Sequence, residues 1–337
     1  TLGELRKADF SRIPAIKLFL GASTGASAAS DDGFLDEVFS FGPMVAVHSE
    51  DQEIIDRNTA AALAKYGKGN VPIPEHPVIR SAEACYECTR RAVERAERCG
   101  THLHVCHVST AAELPFFYNT LPLEEKKLTA EACVQHLFFT DEDYPRLGAR
   151  IKCNPSVKSA SDREALLHAV ADGTIDVVST DHAPHTLADK EGDALTAASG
   201  LPLIQFSLPA MIELSEAGHF PLTRVAEVMS ENQARLFGID RRGFIRPGYF
   251  ADLVVVDPER PLTVTEAEGV DREQPEVTPG ALIRSKCGWS PFAGHTFPAS
   301  VVATYVNGCE VFSAEAPAGE TAPEILSGAA RPLRFTR

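Results

Sequence analysis

Met44-Val-Ala-Val-His48-Ser-Glu-Asp51 is a short apolar run that ends on a histidine and passes straight into charged residues. An uninterrupted apolar run of this length suits a strand buried on both faces of a parallel sheet, with its polar end at the sheet's rim. The design recurs on both sides. Upstream stands Pro14-Ala-Ile-Lys17-Leu-Phe-Leu20, and downstream come residues 102–108, 128–134 and 175–180. Charged amphipathic stretches, 82–98 and 162–170, lie between them. Alternating strand and helix predict a parallel α/β sheet or barrel. A last helix, 225–237, begins near Thr223 and stops at Gly238, consistent with a cap at one end and glycine termination at the other.

After Gly238 the texture changes to glycine turns and alternating strands. Gly243-Phe-Ile-Arg-Pro-Gly-Tyr-Phe-Ala-Asp-Leu-Val-Val-Val-Asp257 is followed by 301–306, Asn307-Gly308 and 310–312. An Asn-Gly pair between two apolar runs predicts a two-residue hairpin. The expected organisation is a partial barrel over 1–238, a small β-sandwich domain over 239–313, and a tail over 314–337 that is extended or partly disordered.

With 337 residues, 32 Lys and Arg against 47 Asp and Glu, and a formal charge of −15, the chain repels phosphate backbones. That argues against nucleic-acid or anionic-membrane partners and for a small-molecule substrate. No apolar run approaches the roughly 18 residues that span a bilayer, and residues 1–7 carry no signal-peptide core, so a cytoplasmic location is expected. The eight cysteines read as small buried hydrophobes rather than a disulfide framework. Cys85 and Cys88 form a Cys-x-x-Cys inside a helical stretch with no second pair, which favours helix core over zinc or redox chemistry.

Four of the five strands carry, at or near their C-terminal side, a residue able to bind metal or move a proton: Lys17, His48, His107 and Asp181. In a barrel those ends converge on one face. Imidazoles bind borderline divalent ions such as zinc, and a carboxylate both binds metal and accepts a proton. A lysine inside an apolar strand is expected to be buried, which favours the neutral amine that reacts with carbon dioxide. On spacing alone, a carbamate ligand and a salt-bridged lysine remain equal readings of Lys17.

The segments Ile16-Lys17-Leu-Phe-Leu-Gly-Ala-Ser-Thr-Gly25, Val47-His48-Ser-Glu-Asp51, His104-Val-Cys-His107-Val-Ser-Thr110, Lys152-Cys-Asn154-Pro155, Ser179-Thr-Asp181-His-Ala-Pro-His185 and Ser285-Lys-Cys-Gly-Trp289-Ser-Pro-Phe292 resemble those of dihydroorotases, cyclic amidohydrolases of the amidohydrolase superfamily. The Asp-His-Ala-Pro-His motif is the most diagnostic. The resemblance implies a TIM-type (β/α)8 barrel with a small C-terminal β domain. It implies two zinc ions, Lys17 as N6-carboxylysine bridging them, His48 and His107 on the second metal, and Asp181 on the first as general acid and base. It implies further that Asn154 hydrogen-bonds the substrate ring, that His185 helps hold its carboxylate, and that the backbone from Ala197 to Gly200 lines the pocket. His182 fits an orienting role. His102 and His104 alternate with the inward-facing positions and read as structural.

The implied reaction is the reversible hydrolysis of dihydroorotate to N-carbamoyl-aspartate in pyrimidine biosynthesis, through a hydroxide bridging two metals. A homo-oligomer and an association with aspartate transcarbamoylase are the implied partners. The alternatives are an allantoinase, a hydantoinase or dihydropyrimidinase, and a non-catalytic scaffold subunit. Two departures stand out. Cys133-Val-Gln135-His136-Leu replaces the Pro-His-His ending common in the family, leaving His136 as either a packing or a functional residue. No His-x-His precedes Lys17. A barrel takes about 250 residues, so roughly three strands and half of the β domain are expected to be missing, in a fragment or a diverged protein.

Overall fold

The computed structural model describes residues 2–336 except 24–28, 30, 269–270, 272, 274–281 and 316–330. Five strands, β1 (Ala15–Phe19), β2 (Met44–His48), β3 (Leu103–Val105), β4 (Leu128–Cys133) and β5 (Val177–Ser179), pair in parallel and in chain order. A doubly wound sheet reverses its strand order at a switch point; a barrel wall does not. The architecture is therefore the wall of a TIM-type barrel, accompanied by a small antiparallel sheet. Four of the five strands are shorter than the sequence predicts, β3 and β5 by the most. The ladders stop before His107 and Asp181, whose φ angles of +44° and +45° turn the backbone out of extended geometry.

The two faces of the wall are chemically distinct. Ile16, Leu18, Val45, Val47, Leu103, Val105, Ala130, Ala132 and Val178 point outward into the main core beneath the helices. The opposite, inward face holds Lys17, Ala46, His48, His104, Thr129 and Glu131. Register places Lys17 beside Ala46, Ala46 beside His104, and His104 beside Thr129. The expectation that His104 alternates away from the inward positions is thus corrected. Counting back from His107 mis-assigned the faces, because the left-handed residue resets the alternation.

Capping side chains fix where the helices begin. Asp51 accepts from Ile54 N and starts Gln52–Tyr66, directly after the β2 end. Ser81 starts Ala82–Cys99, and left-handed Gly100 closes it. Cys85 and Cys88 lie on the core-facing stripe of that helix. The helix expected over 225–237 is instead three consecutive pieces, Leu222–Ala226, a π turn Glu227–Glu231 and Asn232–Leu236, ending before left-handed Gly238. Its Asn232 and Gln233 side chains donate to the Asp176 and Val178 carbonyls, tying the segment to β5.

Beyond Gly238, β6 (Leu253–Asp257), β9 (Ser300–Val306) and β10 (Cys309–Ser313) form a three-stranded antiparallel sheet, and β7 (Leu262–Thr263) pairs with β8 (Thr296–Phe297). The hairpin between β9 and β10 turns on Asn307 and Gly308, both at positive φ as a two-residue turn requires. Phe292 and Phe297 stack among Phe138, Phe139 and Phe206, so the chain between β6 and β9 packs into the main core. The predicted tail falls largely outside the described residues. Its residues 331–336 run antiparallel beside the start of the β region, with Asp240 N donating to Arg334 O and Thr336 N to Gly238 O. Among the described residues no helix is long and apolar enough to cross a membrane.

At the opposite end of the strands from the site, Lys126 and Asp176 form a buried ion pair, N to O 2.6 Å. Lys126 also donates to Gly173 O, and Asp176 accepts from Ala130 N. Lys126→Met leaves a carboxylate buried without its counter-charge, and should lower unfolding free energy by about 3–5 kcal/mol in denaturant titration.

Candidate active site

The C-terminal rim gathers the strand ends. His48 closes β2, His107 follows β3 and Asp181 follows β5. Only four non-glycine residues have positive φ among those described, and two of them are His107 and Asp181. Side chains avoid that region at a cost of about 1–2 kcal/mol, and such residues cluster where function fixes their direction. The His48 Nδ1 to His107 Nε2 distance is 3.1 Å, with the rings 4.8 Å apart and tilted by 73°. Both are buried. His48 Nε2 lies 2.9 Å from Glu50 Oε2 without hydrogen-bond alignment, and His107 Nδ1 has no hydrogen-bond partner. Burial, then His48 and Lys17, pushes the His107 pKa well below the usual histidine value, so its ring is neutral. Burial works against ionised Glu50, yet Arg80 and then His48 outweigh it and hold its pKa at about 2.

Lys17 stands on the same inward face but is exposed, contrary to the burial its strand predicts. It projects from edge strand β1, on the side away from the apolar core. Its Nζ donates to Cys106 Sγ at 2.9 Å and lies 5.5 Å from the Phe19 ring centre. Asp181 is exposed on the rim, yet partial desolvation raises its pKa; Lys17 opposes that shift, and Glu131 adds to it. The field of Lys17 thus reaches both His107 and Asp181.

Asn154 is buried, donates to Ser23 Oγ at 3.3 Å, and leaves Oδ1 without a partner. His185 Nε2 is 3.1 Å from Ser199 O. Gly200, at φ +143°, sits so close to the Asp-His-Ala-Pro-His turn that a Cβ would fall 2.6 Å from Ala183 Cβ. Two buried lysines hold this loop. Lys190 Nζ donates to the carbonyls of Lys152, Ala198 and Gly200 at 3.1, 2.7 and 2.9 Å, and Lys152 Nζ donates to Ala197 O. Trp289 Nε1 donates to His185 O at 2.8 Å. His182 Nδ1 accepts from the amides of Leu203 and Ile204. His136 Nε2 contacts Pro155 O at 3.0 Å, which holds the backbone beside Asn154.

Sequence reading missed the polar layer behind the histidines. Glu50 pairs with Arg80, whose Nη2 reaches Ala22 O. Thr89 Oγ1 donates to Glu113 Oε1, and Lys158 donates to Ser109 and Ser156. Glu50 and Lys152 lie inside the quoted motifs, but Arg80, Glu113, Lys158 and Lys190 have no local pattern to mark them.

A sequence profile of the amidohydrolase family matches residues 51–311. The chain belongs to the amidohydrolase family. This amidohydrolase is 34% identical over 316 residues to a dihydroorotase of Halobacterium salinarum, covering 93% of this chain and 65% of that protein. An allantoinase of Bacillus velezensis is 32% identical over 280 residues, covering 81% of this chain and 56% of that protein. The solved structure of an L-hydantoinase (dihydropyrimidinase) from Arthrobacter aurescens matches with a TM-score of 0.81 at 28% identity, over 93% of this chain and 67% of that one. The chain spans less than two thirds of the length of these two sequence relatives.

Members of the amidohydrolase family are generally metal-dependent, and the donor set here fits a divalent ion. His48 Nδ1 and His107 Nε2, buried and facing each other at 3.1 Å, stand at about the separation of two donors on one ion, while Glu50 lies behind the far nitrogen of His48.

Glu113 gives this amidohydrolase a pH signature. Burial raises its pKa from 4.5 to about 7, so between those values the folded state holds a proton that the unfolded state has released. Stability should therefore fall as pH rises through that window, by roughly 3 kcal/mol. Glu113→Gln should flatten this slope in denaturant midpoints measured at pH 5 and pH 8.

Proposed function

We propose that this chain carries most of the catalytic machinery of a dihydroorotase, interconverting dihydroorotate and N-carbamoyl-aspartate for pyrimidine biosynthesis. The observation that carries this reading is the buried His48–His107 pair, whose Nδ1 and Nε2 face each other at 3.1 Å, on the rim that also bears Lys17 and Asp181. In this proposal residues 1–238 are the hydrolase domain, 239–313 the small β domain and 314–337 its tail. His48 and His107 would hold one zinc ion, Asp181 the other, and Lys17, as a carbamate, both. When bound, the metal pair supplies Lewis acidity at the ring amide carbonyl and lowers the pKa of water.

The chain's own groups then divide the work. Asp181 accepts a proton from the attacking water and delivers it to the departing ring nitrogen; in the cyclisation direction the transfers reverse. The partial desolvation that raises its pKa makes Asp181 a better proton acceptor than a fully solvated carboxylate, although the residue is exposed on the rim. His185, oriented through Ser199 and Trp289, would contribute to binding the substrate carboxylate. Asn154 Oδ1, buried and unpartnered, would accept from a ring N–H, and the Ala197–Gly200 backbone would close the pocket over the ring. A cytoplasmic homo-oligomer, associated with aspartate transcarbamoylase, completes the proposal.

The test is metal content together with turnover of dihydroorotate, N-carbamoyl-aspartate, allantoin and hydantoin. Turnover of the first two, falling about 10²–10⁴-fold in Asp181→Asn, is the expected result. His48→Ala should lose bound metal. Preferential turnover of allantoin or hydantoin would overturn the substrate assignment, and a metal-loaded protein inert toward all four would favour the scaffold.

A further inference from the structure

The inward face carries a second constellation, one layer down from the rim. His104 on β3, Cys106 just beyond it and Glu131 on β4 share that face because β3 and β4 pair in register, Val105 beside Ala130. An imidazole nitrogen, a sulfur and a carboxylate oxygen from the three lie within 4.8 Å of one another. None of the three belongs to the proposed catalytic ligand set.

We propose that His104, Cys106 and Glu131 form a separate binding site for a borderline divalent cation of the zinc or cobalt class. His104 is almost fully buried, yet its Nε2 has no hydrogen-bond partner. That atom sits 3.7 Å from Glu131 Oε2, too far for a hydrogen bond. It is instead near the spacing of two donors on one tetrahedral ion, about 3.3 Å for a nitrogen and an oxygen and about 3.8 Å for two sulfurs. The other ring nitrogen, Nδ1, contacts Thr129 Oγ1 at 3.0 Å, which fixes the ring plane as in metal-binding histidines generally.

The donor set selects the ion. A nitrogen, a sulfur and one oxygen suit zinc or cobalt and do not suit calcium or magnesium, which take oxygen ligands. Cys106 and Glu131 are only partly buried, which leaves a fourth position for water. Lys17 donates to Cys106 Sγ, so its ammonium competes with an incoming cation. A carbamate on Lys17 would replace that positive charge with a negative one and favour loading.

Cobalt reads this site apart from the rim ligands, because none of Lys17, His48, His107 and Asp181 is a thiol, and Cys133, which closes β4 at the rim, serves as the control. Titration of the chain with Co²⁺ should give a thiolate-to-cobalt charge-transfer absorption in the near ultraviolet. Cys106→Ser should abolish it, while Cys133→Ser, His48→Ala and Lys17→Met should keep it. In the unaltered protein, Zn²⁺ should slow alkylation of Cys106 by iodoacetamide by about tenfold or more, mapped by mass spectrometry, since a metal-bound thiolate is withheld from the reagent. Cobalt binding without the thiolate absorption, absorption that survives Cys106→Ser, or Cys106 alkylation indifferent to zinc would each overturn the site. These readouts stand whether or not the chain turns over dihydroorotate.

Discussion

Because β1 to β5 pair in parallel, each beside its predecessor in sequence, every strand delivers its C-terminal end to the same rim. Residues 17, 48, 107 and 181, spread over half the chain, become neighbours through that one constraint. Outward positions fill with Val, Ile, Leu and Ala against the helices, which leaves the inward positions free to be polar. The left-handed backbone at His107 and Asp181 finishes the arrangement by ending the ladder and swinging each side chain off the strand direction.

The rim histidines are held from behind by charge rather than by apolar packing alone. Glu50 is fully buried and ionised because Arg80 reaches it, and the same guanidinium ties down the turn after β1 through Ala22 O. Gly21 permits that approach, since a side chain there would run into the Glu50 carbonyl. Asp51, next in sequence, caps the following helix. Four consecutive residues, His48 to Asp51, therefore place a site imidazole, join a hydroxyl network, neutralise an arginine and start a helix. A buried charge held by Arg80 and His48 is an expensive way to fix geometry, but it fixes it tightly.

The fold was legible because its signal is periodic. Apolar runs of strand length separated by capped helices survive local irregularity, and the Asn307–Gly308 turn announces its own backbone angles. The placement of the candidate residues at strand ends was legible for the same reason, since topology says where strand ends go. What failed was parity and depth. His104 was assigned to the wrong face because one left-handed residue shifts the alternation, and no strand rule sees a φ angle. Lys17 was expected to be buried because its neighbours are apolar; it lies on an edge strand, away from the core that buries Ile16 and Leu18. The π turn within the helix before Gly238 has no sequence mark, and the lysines and arginine behind the site act across gaps too long for any local pattern.

The hydrogen bond from the Trp289 indole to the carbonyl of His185 spans 104 positions in sequence. Trp289 itself lies between β6 and β9, so the Asp-His-Ala-Pro-His turn is moulded against a residue made long after it. During synthesis that turn leaves the ribosome without the surface that shapes it. That turn is thus among the last features to set, and it waits for the stretch between β6 and β9 to dock against it.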